Sequence, residues 1–521
     1  MSADDTLTVG PLDSLTGESG LLSAPALTII WHPHLDRVGQ IAPLTNLIEA
    51  EVAHVSRTEP LFFIPGSESG EPLAHRFISA KPVLDISFKR GTFELRRVQD
   101  DHVDVDGQPL STPRRVSEPD LRRGLIITLA RRIVLCLHSV HFPISRSPTL
   151  GLLGTSDAIE DVRRAITRQA SKNTLVLLRG ESGTGKELAA HALHHAGPRA
   201  ARPFLVKNMA LLGRDRAEAD LFGHKKGGFT GAIADSPGLF RSAAGGTVFL
   251  DEIGDTAPEV QRMILRVIDD KEVTPLGASE PVKVDVRIVA ATDAQLEKAK
   301  AEDRFHQALY NRLTSGFVIK LPPLRERRED VGVLLLHLLK KELRNPSILQ
   351  RLQETDHKVR PWLAPRDVAA VSRSPLAANV RSLLGLARKL ADAIDEGPQR
   401  NTHAIVEEFL AESAGPPFAL EPLAVPGSDR TTTPLTYDDD RITAALERAG
   451  WNRRKAAALL GISHMTFYRW LERDAHLREL LDSDPAALRQ RVQNAAGDLE
   501  LIARELQTTV AVLVRLLARK R

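Results

Sequence analysis

The sequence predicts a multidomain chain with an all-β sandwich in its N-terminal part, an α/β region in its middle and an all-α region at its C-terminal end. Three observations support this prediction. Short β-like runs separated by turn residues fill the first part, an apolar strand followed by a glycine-rich loop and a helix marks the second, and two helical segments around a turn glycine mark the third. A chain of 521 residues has room for about three or four domains, because domains usually contain roughly 100 to 200 residues.

Composition and charge limit the function classes. The net charge is +3, so any affinity for nucleic acid must come from a local basic patch. The single cysteine, Cys136, excludes an internal disulfide framework and suits a reducing compartment. The N-terminus lacks the basic and apolar regions of a signal peptide, and no apolar run approaches about 18 residues, so we expect a soluble, cytoplasmic protein without a membrane partner.

The N-terminal part begins with residues 1–26, whose Gly, Ser, Asp and Pro content is typical of disorder. Between 27 and 140, β-like runs such as Leu27–Trp31 and Leu61–Ile64 alternate with turn residues. The apolar segment Ile126–Leu137 closes this part. Short strands at this spacing predict an antiparallel β sandwich.

The order of features in this sandwich resembles that of a forkhead-associated (FHA) domain. Arg57 lies in a loop, Ser79 precedes a strand, and Val105-Asp-Gly107 lies near a turn. The resemblance implies binding of a phosphothreonine protein, and so a link to a Ser/Thr kinase, with Arg57 and Ser79 as the phosphate ligands. Two departures, Ser56 in place of glycine and Pro82 in place of histidine, leave a scaffold or dimerisation role as the alternative.

A polar linker at 141–149 leads into the α/β region, which extends from 150 to 413. There the apolar run Leu175–Leu178 precedes a glycine-rich loop and a helical segment. The glycines let successive backbone N–H groups converge on phosphate oxygens, the helix N-terminus adds partial positive charge, and Lys186 reaches the terminal phosphates of ATP. The predicted nucleotide ligands are the loop and the residue after it: Gly180, Glu181, Ser182, Gly183, Thr184, Gly185, Lys186 and Glu187. The last of these stands where the general motif has a Ser or Thr that binds the metal.

A second buried strand, Thr247–Asp251, is predicted to deliver two carboxylates at its end. Asp251 is expected to hold Mg²⁺, and Glu252 is expected to polarise the water that attacks the γ-phosphate. An apolar strand ending in Asp-Glu, 65 residues after the lysine (186 to 251), makes the phosphate-loop assignment far more specific than the glycine pattern alone.

Between these two motifs lies the segment Leu-Phe-Gly-His-Lys-Lys-Gly-Gly-Phe-Thr-Gly-Ala at 221–232. A Phe and a Thr among four glycines predict a mobile hairpin whose aromatic tip either contacts a partner or fills a core. The segment resembles the GAFTGA signature of the bacterial enhancer-binding proteins, the sigma-54-dependent activators of the AAA+ superfamily. This resemblance covers most of 150–395 and implies that the loop contacts sigma-54 and remodels the RNA polymerase closed complex. The residues implied are Gly227, Gly228, Phe229, Thr230, Gly231 and Ala232.

The same resemblance implies further roles. Asn208 would restrain the catalytic glutamate until the loop engages, and Asp293 occupies the sensor I position, where the family has Asn. Arg312 would reach into a neighbouring subunit's site, although the second arginine of the family is His306 here. Arg381, in a segment that matches sensor II, would contact the nucleotide, and a homo-oligomer, most simply a hexamer, is implied. The extra carboxylate of Asp293 would repel the anionic nucleotide, which predicts slower turnover.

The C-terminal part begins with a proline-rich linker at 414–436. Within 437–475, Gly461 makes a sharp turn and Ser463 can cap the helix that follows. This segment resembles the Fis-type helix-turn-helix that ends the enhancer-binding family, which implies binding of double-stranded enhancer DNA. The implied DNA contacts are Arg453, Arg454, Lys455, Ser463, His464, Thr466, Tyr468 and Arg469. A solvated three-helix bundle is the alternative.

The last segment, 476–521, repeats the apolar skeleton of the helix-turn-helix. A shift of 46 positions places Leu506 on Leu460 and Leu517 on Leu471. The repeat predicts a degenerate second helix-turn-helix. An amphipathic tail with accidental similarity is the alternative, because helical periodicity alone produces such matches.

Together these features predict an oligomeric, ATP- and Mg²⁺-dependent activator of sigma-54 RNA polymerase, with an FHA-like domain in place of a phosphoacceptor receiver domain. The alternative is a DNA-binding regulator or scaffold that binds nucleotide without hydrolysing it, because Lys225, Asp293 and His306 depart from the family pattern. An AAA+ unfoldase is a third possibility, and the DNA-reading motif at the C-terminus disfavours it.

Overall fold

The protein is described by a computed structural model up to Ser413. The described residues are 22–45, 47, 51–89, 92–142, 147–212, 214–228, 232–293, 296–345, 347–348, 362–396 and 401–413. They belong to one compact unit. Several predicted features lie outside the described residues, namely 1–21, the loop residues Phe229, Thr230 and Gly231, the linker 414–436, the helix-turn-helix 437–475 and the repeat 476–521.

The N-terminal part is built from two antiparallel sheets. Its elements, in chain order, are β1 (Leu22–Trp31), β2 (Ile41–Pro43), β3 (Val52–Val55), β4 (Phe62–Phe63), β5 (Gly70–Glu71), β6 (Leu84–Lys89), β7 (Thr92–Arg97), β8 (Val103–Val105), β9 (Gln108–Pro109), β10 (Arg114–Val116), α1 (Glu118–Arg123), β11 (Leu125–Leu129) and β12 (Ile133–Phe142). The larger sheet has eight strands in the order β5-β4-β2-β1-β12-β11-β8-β9, and the smaller sheet has four in the order β10-β7-β6-β3.

The two sheets share one hydrophobic core. Leu27 of β1 belongs to the same buried cluster as Leu84 and Ile86 of β6. Two antiparallel sheets over a common core form the sandwich that the strand spacing predicts. The prediction of disorder for 1–26 is wrong for residues 22–26, because they are the start of β1 and pair with 138–142 of β12.

The α/β region follows. Its elements, in chain order, are α2 (Asp157–Ala170), β13 (Val176–Arg179), α3 (Lys186–His195), β14 (Phe204–Asn208), α4 (Arg214–Phe222), α5 (Gly238–Ser242), β15 (Thr247–Asp251), α6 (Pro258–Asp269), β16 (Glu272–Val273), β17 (Val282–Lys283), β18 (Arg287–Thr292), α7 (Leu296–Ala301), α8 (Gln307–Ser315) and β19 (Phe317–Lys320). Five strands form a parallel sheet in the order β14-β15-β18-β13-β19. The carboxyl ends of parallel strands meet at one edge, so the loops after β13, β15 and β18 lie together there.

A helical lid completes the described chain. It consists of α9 (Val331–Glu342), α10 (Pro365–Arg373), α11 (Val380–Glu396) and α12 (Thr402–Ser413). Leu335 and Leu339 of α9 share a buried cluster with Leu383 and Leu386 of α11. None of the helices in the described ranges is long and apolar enough to cross a membrane.

The sandwich packs directly on the lid. The cluster that holds the lid together also contains Ile30 of β1 and Val134 and Cys136 of β12. Successive side chains of a strand face opposite sides of the sheet, so these residues lie on the face that points away from the sandwich core. The linker at 141–149 predicts two separate domains, whereas the structure joins the two parts through an apolar interface.

Candidate active site

The glycine-rich loop lies between β13 and α3, at the carboxyl edge of the parallel sheet. Gly183 and Gly185 have φ angles of +76° and +102°, a region that favours glycine. A Cβ on Gly183 would lie 2.1 Å from the carbonyl oxygen of Ala378, so the chain before α11 approaches too closely for a side chain. Strand, loop and helix N-terminus thus form the predicted phosphate-binding arrangement.

The Lys186 side chain lies between this loop and the end of β15. Its Nζ donates a hydrogen bond to the carbonyl oxygen of Gly180 at 2.9 Å. The same Nζ lies 3.5 Å from Oε1 of Glu252, and only 7% of the lysine side chain is exposed. A buried ammonium is therefore in place beside both the loop and a carboxylate.

Two carboxylates follow at the end of β15. Oδ1 of Asp251 is buried and has no hydrogen-bond partner among the described residues. Glu252 has a φ of +52°, which is uncommon outside glycine and occurs often at functional sites. Its Oε2 accepts a hydrogen bond from the backbone N–H of Asp293 at 3.3 Å. The ends of β15 and β18 therefore meet at Glu252.

Burial raises the pKa of the Asp251 and Glu252 carboxyls. The positive charge of Lys186 opposes the shift in both, and the negative charge of Asp293 adds to it. A raised pKa brings a carboxylate closer to the strength that a general base needs near neutral pH.

The residues at this edge fit a hard cation. Mg²⁺ prefers oxygen ligands and is usually bound by one or two carboxylates together with waters and nucleotide phosphates. The unpartnered Oδ1 of Asp251 is such an oxygen. In the described ranges, no group of three or more His, Cys, Asp or Glu side chains could hold a metal ion. The Asp251 oxygen fits a metal whose other ligands are waters and nucleotide phosphates.

Two arginines that follow β19 contact the glycine-rich loop. The guanidinium of Arg325 donates two hydrogen bonds to the carboxylate of Glu181, at 2.7 and 2.6 Å. These bonds lower the pKa of Glu181. Nη1 of Arg381 donates to Oγ of Ser182 at 2.7 Å. Arg381 thus contacts the glycine-rich loop.

Asn379 connects the lid to the loop through a fully buried carboxamide. Its Oδ1 accepts from the N–H of Leu324 at 2.7 Å. Its Nδ2 donates to the carbonyl oxygen of Ser182 at 3.0 Å and to Oε2 of Glu181 at 3.2 Å. Sequence reasoning missed the roles of Arg325 and Asn379, since their contacts with the loop join positions 144 and 198 residues apart.

Two other predicted catalytic residues lie farther out. Asn208 ends β14 opposite Asp251, and its Oδ1 accepts from the N–H of Ala210 at 3.0 Å. Nε of Arg312 lies 2.8 Å from Oδ1 of Asp269, and about half of each side chain is exposed. Asp269 is the last residue of α6. This helix has 12 residues and is therefore about 18 Å long. The structure brings Asn208 to the edge of the site and leaves Arg312 on the surface.

The predicted sigma-54 loop is described only at its base. The N–H of Gly227 donates to the carbonyl oxygen of Ala232 at 2.9 Å, which joins the two ends of the loop. The N–H of Lys226 donates to Oδ1 of Asp235 at 2.8 Å. Ile233 is 85% exposed. The base therefore has one backbone hydrogen bond and one hydrogen bond to a carboxylate, and it carries an exposed apolar side chain.

The two predicted phosphate ligands of the sandwich are neighbours. The N–H of Arg57 donates to the carbonyl oxygen of Ser79 at 2.8 Å, and the carbonyl oxygen of Arg57 accepts from Ala74 at 2.9 Å. Oγ of Ser79 accepts from the N–H of Lys81 at 3.1 Å. The half-buried Arg57 forms no side-chain hydrogen bond or ion pair with the described residues.

Comparisons with known proteins identify two segments of the chain. The family model of the sigma-54 interaction domain matches residues 152–319, and that of the bacterial regulatory proteins of the Fis family matches 438–473. The DNA-binding transcriptional regulator NtrC of Escherichia coli (strain K12) is 38% identical over 340 residues, which cover 62% of this chain and 70% of that protein. The Nif-specific regulatory protein of Azotobacter vinelandii is 38% identical over 331 residues, or 63% of this chain and 60% of that protein. The crystal structure of NtrX from Brucella abortus in complex with ADP is 27% identical, with a TM-score of 0.44, and the match covers 62% of this chain and 69% of that one.

Proposed function

The chain belongs to the family of sigma-54-dependent transcriptional activators, and on that premise we propose that it hydrolyses ATP to remodel closed complexes of sigma-54 RNA polymerase from enhancer DNA. The observation that carries this proposal is the convergence of Lys186, Asp251 and Glu252 at one edge of the parallel sheet. An ammonium for the phosphates, an oxygen for the metal and a second carboxylate for the water are the groups that ATP hydrolysis needs.

The glycine-rich loop and the start of α3 would bind the phosphates of ATP through their backbone N–H groups. Lys186 would exchange its contact with Gly180 for one with the terminal phosphates, and Arg381, which donates to Ser182 of the loop, would contact the nucleotide. Asp251 would hold Mg²⁺. When bound, this ion neutralises the charge that develops on the phosphates.

Glu252 would activate the attacking water. The water oxygen forms a bond to the γ-phosphorus, the bond from that phosphorus to the β–γ bridging oxygen breaks, and Glu252 accepts the proton that the water loses. The N–H of Asp293 orients the carboxylate for this step. The negative charge of Asp293 repels the phosphates, so we expect slower turnover than an asparagine would allow.

The loop at 227–232 would transmit the result of hydrolysis to sigma-54. Its closed base and the exposed Ile233 support a contact surface rather than a core element. Arg312, which is half exposed, would act on the nucleotide of a neighbouring subunit in a hexamer. The helix-turn-helix at 437–475 would hold the assembly on enhancer DNA.

The sandwich would supply the regulatory input as an FHA-like domain. Arg57 and Ser79 are neighbours through the hydrogen bond from the N–H of Arg57 to the carbonyl oxygen of Ser79. Such a pair can bind a phosphate group through charge-assisted hydrogen bonds. A phosphothreonine peptide from a substrate of a Ser/Thr kinase is the proposed ligand.

The test is open-complex formation with purified sigma-54 polymerase on an enhancer and promoter template. We expect open complexes with the wild-type protein and ATP, and none with ADP or with Lys186→Ala. Tight nucleotide binding without phosphate release and without open complexes would overturn the proposal. That result would favour the non-hydrolysing regulator or scaffold, an alternative that the Asp293 carboxylate beside Glu252 supports.

A further inference from the structure

The large sheet of the sandwich is buried on both faces. An antiparallel sheet commonly has one face on a core and the other in water. Here the outer-facing Ile30, Ile126, Val134 and Cys136 are each at most 1% exposed. They share a buried cluster with Leu335 of α9 and other apolar residues of the lid. The lid therefore covers the face that an isolated sandwich would expose.

The backbone of β1 approaches α9 closely. Gly332 lies in the first turn of α9, and a Cβ placed there would be 2.0 Å from the carbonyl oxygen of Ile30. Glycine weakens a helix, so its presence is explained by this contact. Gly385 of α11 differs from it, since a Cβ there would meet no atom within 4 Å.

Contacts at the rim of this interface fix how the sandwich sits on the lid. The Trp31 and Trp362 rings meet edge to face, with their centroids 5.6 Å apart. Nη1 of Arg328 donates to the carbonyl oxygen of Gly124 at 3.3 Å. The guanidinium of Arg373 lies against the Asp106-Gly107 turn, 2.8 Å from where a Cβ of that glycine would be. Polar and aromatic contacts thus join the two parts in addition to the apolar cluster.

The same lid holds the glycine-rich loop. Asn379 and Arg381, at the start of α11, bind Ser182, and α11 packs on α9 in the shared cluster. A continuous path of packed residues thus leads from β1 through α9 and α11 to the loop. Such a path is the physical means by which a change at one end can alter the other.

We propose that the sandwich forms a second layer of the lid and acts as a positioning element for ATP hydrolysis. It holds Asn379 and Arg381 in register with the glycine-rich loop. The proposal rests on the proposed ATPase function. Moving β1 away from α9 would shift the start of α11 against Ser182, so nucleotide affinity and turnover would fall together. A ligand bound to the sandwich would act on the nucleotide by the same route.

The experiment compares Gly332→Ala with Gly385→Ala in the full chain. Both changes replace a lid helix glycine by alanine, but only the first drives a methyl group into the β1 backbone. We expect Gly332→Ala to raise the KM for ATP at least fivefold, to lower kcat, and to reduce hydrogen-exchange protection in β1, in α9 and at 180–187. Gly385→Ala should match the wild type in all of these.

A second pair keeps the test decisive if Gly332→Ala does not fold. Trp31→Ala removes a ring of the interface, whereas Leu95→Ala truncates a fully buried residue of the sandwich core. We expect weaker binding of fluorescent ADP with Trp31→Ala and unchanged binding with Leu95→Ala. Unchanged ADP binding with Trp31→Ala, or an equal loss of binding with Leu95→Ala, would overturn the proposal.

Loss of protection in β1 and α9 with wild-type nucleotide binding and unchanged protection at 180–187 would also overturn it. Failure of the wild-type protein to hydrolyse ATP would count against the proposed function alone, because exchange and ADP binding report on this coupling without hydrolysis.

Discussion

Nζ of Lys186 and Oε1 of Glu252 lie 3.5 Å apart, so the ammonium that would bind phosphate and the carboxylate that would activate water form an ion pair. Glu252 competes with the nucleotide phosphates for Lys186, and Lys186 competes with the attacking water for Glu252. Phosphates that bind Lys186 would release Glu252 toward the attacking water. The pair thus gives a physical reason why nucleotide binding and base activation are linked.

The first prediction follows from this pair. Glu252→Gln should bind ATP at least as tightly as the wild type, because a neutral amide no longer competes for Lys186 or repels the phosphates. Hydrolysis should fall by roughly 100-fold or more, the usual contribution of a general base. Titration with fluorescent ATP and a phosphate-release assay measure the two steps.

The matched control is Asp293→Asn, which keeps the backbone N–H to Glu252 and removes the neighbouring negative charge. Its turnover should equal or exceed that of the wild type. Unchanged turnover in Glu252→Gln would remove Glu252 as the base.

The second prediction concerns Asn379. Asn379→Ala deletes a carboxamide that accepts one hydrogen bond and donates two, and it leaves the N–H of Leu324 without that acceptor. A buried donor without a partner costs about 1–3 kcal/mol, so we expect a lower unfolding temperature and weaker nucleotide binding. Asn311→Ala, at an exposed asparagine of α8, is the control. Equal effects of the two changes would show that the link between lid and loop is not specific.

The strand ends of the α/β region could be predicted because their signals are local. An apolar run followed by glycines or by Asp-Glu marks each one, and parallel strands bring such ends to one edge. Asn379 could not be assigned its partners in this way, since a carboxamide between two loops depends on how the lid folds back on the sheet.

The interface between the sandwich and the lid corresponds to a recognisable pattern in the amino-acid sequence. Ile133–Leu137 of β12 has no polar residue, although a strand with one face in water should alternate. Such a run indicates burial on both faces. It does not identify the covering element, because residues 331–396 of the lid are almost 200 positions further along the chain.

The third prediction tests assembly. If Arg312 acts on a neighbouring subunit, Arg312→Ala should keep most ATP binding and lose most hydrolysis. Mixing it with Glu252→Gln protein should restore part of the activity, because mixed rings contain interfaces at which both wild-type groups meet. Phosphate release from mixtures of known composition measures this. Mixtures that co-assemble and stay inactive would show that Arg312 does not act between subunits.

The fourth prediction separates coupling from chemistry. Thr230→Ala changes the tip of the loop, outside the described residues, while its base at Gly227 and Ala232 is untouched. Basal ATPase activity should stay near the wild-type level and open-complex formation should be lost. Normal activation by this variant would contradict the role of the loop.

The last prediction concerns Glu329, which lies at the interface between sandwich and lid. Burial, together with the negative charge of Asp330, raises the pKa of Glu329 from 4.5 to about 8. Asp330 accepts hydrogen bonds from the N–H and Oγ of Ser156. His138 Nδ1 is 3.8 Å from Oε1 of Glu329.

The direction in which the free energy of unfolding changes with pH depends on whether the folded or the unfolded state binds the proton. The folded protein keeps the proton on Glu329 up to about pH 8, whereas the unfolded chain has lost it, so the free energy of unfolding falls as pH rises through this window. The slope for one proton is at most about 1.4 kcal/mol per pH unit. His32, whose burial lowers its pKa from 6.5 to about 3, makes stability rise with pH and acts only below about pH 6.5. The effect of Glu329 should therefore be clearest between pH 6.5 and 8.

Glu329→Gln replaces the protonated carboxyl with a neutral group of the same shape. The unfolding temperature of this variant, relative to that of the wild type, should rise as the pH is raised from 6.5 to 8. Only the wild type loses stability over this range, because its folded state keeps a proton on Glu329. Thermal unfolding of both proteins in the same buffers measures this difference. Parallel curves across the window would mean that Glu329 is already ionised at the interface.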